Sequence, residues 1–558
     1  MKTKYLIALI ITLFAIGLRF YKLGEIPSSV HRDEAFLGYN AFSILKTGRD
    51  ISGNILPAHL ASFLYSPAGY SYLSLPPIAI FGLNAFSVRF ASALFGALTI
   101  PFVYLLTQVL FPPPIAPAAG LLASTLLTIS PWHINLSRTA TENVPVVFFL
   151  TIGTWLLALW LKKRKLVFLL FAFFCYVETL FLYQAPRAFL PLLLPLLLIG
   201  LLKNDKRNMC IGLMMTLIII IIPTIWITFS PTLSLRMRSV SIFGTPETQL
   251  VIDSFIREDG VTHTAPVTAR AFHNKISGYL SQFVHNYFAH FSYDFLFTDR
   301  GLPDRYRVVG VGILYLFELP LLIAGLYSLV RKKTATSNIL LLWLVLSPIG
   351  SSLAFDDIPN LQRTLLIYPA LSILEAMGMI TLFAGLKKYS LYVVFPSILL
   401  VTLSIVFYLH QYFAHSSLYQ PWYRHSGYEK LVKQINAHIG SYKKIIITNH
   451  ESAPTIFFAF YSQFDPLTFQ NQTIKNSIQP YDRINFSKYE FTEEACPLRE
   501  ILTPINGLEH KTLATGEKDV LYVNFATCNN PPGARELYII TRSDGSEVFR
   551  ILEYIPTS

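Results

Sequence analysis

His31-Arg32-Asp33-Glu34 sets four ionisable side chains immediately beyond the first apolar run, Tyr5 to Phe20. Charge beside a bilayer is costly, so ionisable residues kept there point to function. Lys2 and Lys4 precede the run, and the preference of basic residues for the cytoplasmic side puts Asp33 and Glu34 at the outer face. Apolar spacing from Glu34 to Leu45 predicts a surface-lying helix that Gly48 can end. A carboxylate at that helix start stays ionised at neutral pH and can take a proton from an acceptor hydroxyl or amine. The same position suits a helix cap at Asp33, with Glu34 as a first-turn charge complementing the helix dipole, which needs no catalysis. Both readings can hold together, with Arg32 and Glu34 supporting Asp33 by holding a metal or a phosphate.

A phosphate leaving group is best held by planar, permanently charged guanidinium forks. Arg363, Arg187, Arg138 and Arg305 join Arg32 at expected outer helix ends, although each alone could simply reach up to lipid headgroups. Tyr70 and Tyr72 fall on a second loop helix, Pro67 to Ile80 with Ser66 as its cap, where they could stack on a sugar or form an interfacial belt. Tyr183 and Gln362 are further candidates for contact with substrate. Asp356 and Asp357, beside Asn360, offer the oxygen ligands that Mg²⁺ or Mn²⁺ prefers, though a solvated loop explains two adjacent aspartates as well. The chain has no Walker loop, GxSxG elbow, CxxC pair or HExxH.

These groups must be positioned by a membrane protein, because 558 residues with 53% hydrophobic and 14% charged composition describe a polytopic chain. The net charge of +12 sits largely in short clusters such as Lys162-Lys163-Arg164-Lys165, Arg331-Lys332-Lys333 and Lys387-Lys388, which set topology and argue against nucleic acid. Eleven spans are expected, starting near Tyr5, Ser87, Ile115, Asn143, Leu166, Arg187, Met209, Val308, Asn338, Arg363 and Tyr389. With the N-terminus inside, every basic connection then falls on the cytoplasmic side of the inner membrane. The outer segments, 21–86 and 230–307 above all, carry most of the other ionisable groups. The expected domains are a transmembrane part, 1–409, and a soluble extracytoplasmic α/β domain, 410–558. In the latter Tyr428 to Ile439 and Pro454 to Tyr461 read as helices, and Lys443 to Thr448, Val520 to Phe525, Leu537 to Thr541 and Val548 to Tyr554 as strands. Cys496 and Cys528 could form one disulfide there, whereas Cys175 and Cys210 are expected to be inert thiols.

Four stretches carry a family resemblance: HRDEAFLGYNAFSILKTGRD from His31, Ser66 to Leu106, His285 to Leu326, and NLQRTLLIYPAL from Asn360. The chain resembles the lipid-carrier-dependent glycosyltransferases of the type C superfamily, in the branch of protein O-mannosyltransferases and aminoarabinose transferases. The resemblance implies inverting transfer of a sugar from a polyprenyl-phosphate donor to a protein, lipid or glycan acceptor on the outer face. It makes Asp33 the catalytic aspartate and Arg363, then Arg187 and Arg138, the holders of the departing phosphate. Many relatives have Lys-Pro-Pro where this chain has Ser66-Pro67-Ala68, so an arginine must replace that lysine or the donor is bound differently. No cofactor is required, although a divalent metal is compatible. The span count alone also permits a transporter or lipid flippase, for which Glu178, Glu318 and Glu375 are the acidic residues within spans, and a third reading is a non-catalytic envelope protein that binds sugar through its tail.

Overall fold

A computed structural model of the chain describes residues 2–60, 66–230, 239–244, 246–300, 302–385, 390–473, 483–504 and 510–555. Lys387, Lys388 and Tyr389 lie outside the described residues. Helix α1 is Lys2–Phe20, α2 Arg32–Thr47, α3 Gly69–Phe81 and α4 Ala85–Leu110. Helix α2 ends at Gly48, as its sequence predicts, and α3 begins just after the expected Pro67.

Seven helices among the described residues are long and apolar enough to cross a bilayer, and two further pairs, Ile115–Ile129 with Pro131–Ser137 and Leu361–Ile367 with Ala370–Gly385, are bent by 59° and 56°. The remaining expected spans are the shorter helices Leu166–Leu182 and Glu318–Lys332. The latter starts at Glu318 rather than Val308. Gly310, at φ 75°, and Gly312, pressed against the backbone of Phe297, hold the intervening segment in turns. On α1, Leu6, Leu9, Leu13 and Phe14 are exposed, as a face meant for lipid requires.

Contacts divide the chain into two compact units, 1–21 with 65–69 and 92–411, and 22–64 with 70–91 and 412–558. Within the first, Glu318–Lys332 packs on Ala370–Gly385 at the closeness that small residues allow in membranes. A Cβ on Gly378 would overlap the carbonyl of Leu321, and one on Gly325 that of Leu374.

In the second unit β1 (Lys444–Thr448), β2 (Tyr489–Thr492), β5 (Val520–Phe525), β6 (Ala534–Thr541) and β7 (Glu547–Tyr554) form a sheet in the order β2-β1-β5-β7-β6, while β3 (Glu500–Pro504) and β4 (His510–Ala514) pair separately. Strand β1 runs parallel to β2 and β5, and β7 antiparallel to β5 and β6. The sheet buries Ile445, Ile447, Val523 and Ile551 together with Phe457 and Phe458 of the helix Pro454–Tyr461. Cys496 and Cys528 are disulfide-bonded, while Cys175 and Cys210 are free thiols.

Helix α2 docks on this tail. Tyr39 Oη donates to Phe464 O at 2.9 Å, and Gln470 Nε2 donates to Ser43 Oγ and Asp50 O, each at 2.9 Å. Gly38 lies so close to Phe460 and Val88 that any Cβ would collide with them. The first loop and the tail therefore share one compartment, and the chain crosses the bilayer an even number of times between them.

Candidate active site

His31, not Asp33, caps α2. Its Nδ1 accepts the Asp33 N–H at 3.2 Å, and its own N–H donates to Glu34 Oε2 at 2.9 Å, a reciprocal capping box. Asp33 thus occupies the first turn. Its Oδ2 lies 3.4 Å from His31 Nδ1 and its Oδ1 3.7 Å from Arg32 Nε.

The two adjacent carboxylates have different fates. The Asp33 side chain is 34% exposed and that of Glu34 only 4%. Arg89 Nε donates to Glu34 Oε1 at 2.9 Å and its Nη2 to Oε2 at 3.1 Å, a bidentate pair. Arg424 Nη2 reaches the same Oε2 at 3.3 Å. Arg89 also donates to the carbonyls of Leu23, Pro27 and Ser29, at 3.1, 2.9 and 2.7 Å. Glu34 is therefore the centre of a buried clamp, which corrects its expected role beside a metal or phosphate: its oxygens already face two guanidiniums. Arg32 remains largely exposed. Arg89 and Arg424 were not singled out from sequence. For Arg89 a signal existed, since an arginine one turn inside an apolar span demands a partner.

In the membrane unit a cavity of about 350 Å³ is lined by Tyr183, Gln184, Arg187, Ser241, Phe243, Leu353 and Arg363. Arg187 stands in the first turn of Ala185–Leu202, where its Nε and Nη2 donate to Leu180 O at 3.1 and 2.8 Å. Arg363 is fixed by Asp356, its Nη1 donating to the carbonyl and its Nη2 to Oδ1, both at 2.8 Å. Its own N–H donates to Asn360 Oδ1 at 2.8 Å, the cap of Leu361–Thr364. The fold thus gathers Tyr183, Arg187 and Arg363 around one mostly apolar space, where fixed cations attract an anion strongly.

The other candidates lie elsewhere. Arg305 pairs with Asp357 at 3.3 Å and sits over the ring of Tyr306, whose hydroxyl accepts Gln362 Nε2 at 2.8 Å. Asp356 and Asp357 therefore each serve an arginine, and no three His, Cys, Asp or Glu side chains among the described residues could hold a metal ion. Arg138 is buried and its Nη1 donates to Leu18 O and Arg19 O at 2.9 and 3.0 Å, satisfying carbonyls at the end of α1 that lack helical partners. Tyr70 is fully buried, with its hydroxyl donated to Val88 O at 2.8 Å, so it offers no face on which a sugar could stack.

His290 braces the Arg363 helix. Its Nε2 accepts the Asn360 N–H at 3.2 Å and lies 2.8 Å from Ser351 Oγ, while Nδ1 lies 2.7 Å from Asn286 O. That pattern needs a neutral ring with its proton on Nδ1. Burial, aided by Arg363, pushes the imidazolium down to about 4. Because the folded value lies below the unfolded one, this stabilisation is fully present above about pH 6.5 and is lost as pH falls toward 4. Melting followed from pH 7 to 4.5 is expected to show a loss of up to about 3 kcal/mol that His290→Leu flattens.

Residues 66–227 match the family of dolichyl-phosphate-mannose-protein mannosyltransferases. A stretch of 119 residues, 20% of this chain, is 32% identical to the candidate mannosyltransferase YkcB of Bacillus subtilis (strain 168), but spans only 16% of that relative. ArnT from Cupriavidus metallidurans in the apo state aligns with a TM-score of 0.51 at 12% identity, over 98% of this chain and 97% of that one. The same protein bound to undecaprenyl phosphate gives 0.50 at 12% identity with the same coverage. The Archaeoglobus fulgidus oligosaccharyltransferase tethered to an acceptor peptide gives 0.50 at 15%, over 82% of this chain and 63% of that one. Likeness over so much of the chain at such low identity is a likeness of fold, and it agrees with the apolar helices and the sheet-containing tail. This chain is a multi-pass membrane protein with the fold of the type C glycosyltransferase superfamily.

Proposed function

We propose that the protein is an inverting glycosyltransferase that moves a sugar from a polyprenyl-phosphate donor to an acceptor at the outer face of the cytoplasmic membrane, with Asp33 as the base. In this reading residues 1–409 form the membrane-embedded transferase and 410–558 an extracytoplasmic domain. The observation that carries it is the division between the paired carboxylates: Glu34 is consumed by buried arginines, while Asp33 keeps 34% of its side chain exposed. Asp33 takes the acceptor proton as the acceptor oxygen or nitrogen bonds to the anomeric carbon. The bond from that carbon to the phosphate oxygen breaks, and its electron pair leaves with the carrier. Attack from the face opposite the phosphate inverts the centre.

Charge growing on the phosphate must be met by fixed cations, the role given to Arg187 and Arg363, with Tyr183 beside them. A second, almost wholly apolar cavity of about 340 Å³, lined by Trp132, Phe295, Leu322, Ile323, Leu344 and Leu371, suits an isoprenoid chain. The undecaprenyl phosphate held by ArnT and the peptide on the oligosaccharyltransferase support these donor and acceptor classes. No metal step is assigned, because Asp356 and Asp357 are committed to arginines.

Purified protein given labelled undecaprenyl-phosphate sugars is expected to transfer label to an envelope extract. Arg363→Gln and Arg187→Gln should each raise the half-saturating donor concentration about 10- to 100-fold, the loss of one charge-assisted contact. Donor dependence unchanged in both would remove these arginines from the phosphate site.

A further inference from the structure

The helix Lys275–Ala289, in the segment 230–307, is amphipathic in the reverse sense to a helix that faces water. At 3.6 residues per turn Ile276, Leu280, Val284 and Phe288 fall along one side, and they are 81, 59, 42 and 65% exposed. Phe291, just beyond the helix end, is exposed as well. The polar residues point the other way. Gln282 Nε2 donates to Asn286 Oδ1 at 2.8 Å, and Asn286, only 1% exposed, donates through Nδ2 to Ser352 O and Ala354 O at 3.2 and 2.9 Å. His290, one turn on, is spent on Ser351 and Asn360. The helix start is firmly made, since Asn274 Oδ1 accepts the N–H groups of Ile276 and Ser277 at 2.9 and 3.0 Å.

A helix on a water-facing surface turns its apolar stripe to the protein and its polar ridge outward. Here that order is inverted, so the medium outside is apolar. Continuity identifies it. Tyr287 Oη donates to Val345 O at 2.8 Å, and Val345 is itself exposed on the span Ala335–Ser352. At 1.5 Å per residue Val345 lies roughly 10 Å inside the end of that span, so the helix is fastened below its rim. Phe291 lines the same apolar cavity as Ile323, Leu326 and Val345, all exposed on the membrane helices that carry them. The stripe thus continues the surface that those helices turn to lipid. Its 15 residues, about 22 Å, are too few to cross a hydrocarbon layer of about 30 Å.

We propose that the helix Lys275–Ala289 lies in the bilayer on the Arg363 side, with Ile276, Leu280, Val284 and Phe288 among the acyl chains. Its partner is lipid hydrocarbon, not a second copy of the chain or an acceptor protein. Charge agrees: the helix holds no acidic residue, and Lys275 at its first position can reach the headgroups while its stem stays among apolar groups. The opposite ridge grips Ser351, Ser352 and Ala354, so lipid forms one wall of the mount that carries Arg363.

The test uses full-length protein in phosphatidylcholine vesicles, with Cys210→Ser leaving buried Cys175 and the bonded pair Cys496 and Cys528. A nitroxide is attached through Leu280→Cys or Val284→Cys, both at exposed positions, and its collision rates with oxygen and with a neutral nickel chelate are read by electron paramagnetic resonance saturation. Oxygen concentrates in hydrocarbon, and the polar chelate is kept out of it. At both positions the oxygen-to-nickel ratio should exceed that for Lys433→Cys, an exposed position in the tail, by at least about fivefold, and approach that for Leu13→Cys on α1. A ratio equal to the Lys433→Cys value would place the face in water, and low rates for both reagents would place it under protein. Either result would overturn the proposal.

Discussion

Asp33→Asn is expected to lower sugar transfer by about 10²- to 10⁴-fold, the usual worth of a positioned general base. Asparagine keeps the shape and the capacity to hydrogen-bond but cannot take a proton at neutral pH. The substitution should leave the fold intact, because the Asp33 ion pairs with His31 at 3.4 Å and Arg32 at 3.7 Å are long and lie on a half-buried side chain. Pairs of that kind contribute about 0–1 kcal/mol. Melting temperature and donor affinity should therefore stay near wild type while turnover collapses. Loss of stability in parallel with turnover would instead make Asp33 a structural residue.

Arg89→Ala is expected to act through the opposite route, lowering stability by about 3–5 kcal/mol. Arg89 is 1% exposed and donates to Glu34, Leu23, Pro27 and Ser29, so its removal leaves one buried carboxylate and three carbonyls short of donors. Arg424 still reaches Glu34, but through one contact of 3.3 Å. Thermal melting in detergent, with and without Glu34→Leu in the same chain, separates the causes. The double variant should be less damaged than the sum of the two single ones, because the apolar replacement removes the unpaired charge. A cost below about 1 kcal/mol for Arg89→Ala would show that the clamp does not hold α2.

Local signals made much of this fold legible. Pro454 opens a helix and Val520 to Phe525 forms a strand as their patterns predict, and Gly48 stops α2 where expected. Tyr183, Arg187 and Arg363 were legible for a similar reason: they sit at helix ends beside apolar spans, and the fold brings those ends to one cavity. Pairings decided by distant packing were hidden. Glu34 and Arg424 are 390 residues apart along the chain, so nothing local reveals that Glu34 is spent or that the tail docks on the first loop. Arg138 and Tyr70 matched the chemistry sought, but backbone carbonyls took Arg138 Nη1 and the Tyr70 hydroxyl. The cap moved from Asp33 to His31 because an imidazole nitrogen can accept the same N–H that a carboxylate would.

The central claim is that Asp33 is the proton acceptor in sugar transfer from a lipid-linked donor. Its most direct test compares wild-type and Asp33→Asn protein side by side. Label passed from a saturating undecaprenyl-phosphate sugar to envelope extract is measured alongside binding of undecaprenyl phosphate. The prediction is equal binding of the carrier with transfer reduced at least about 100-fold in the variant. Transfer by the Asp33→Asn protein at the wild-type rate would contradict it.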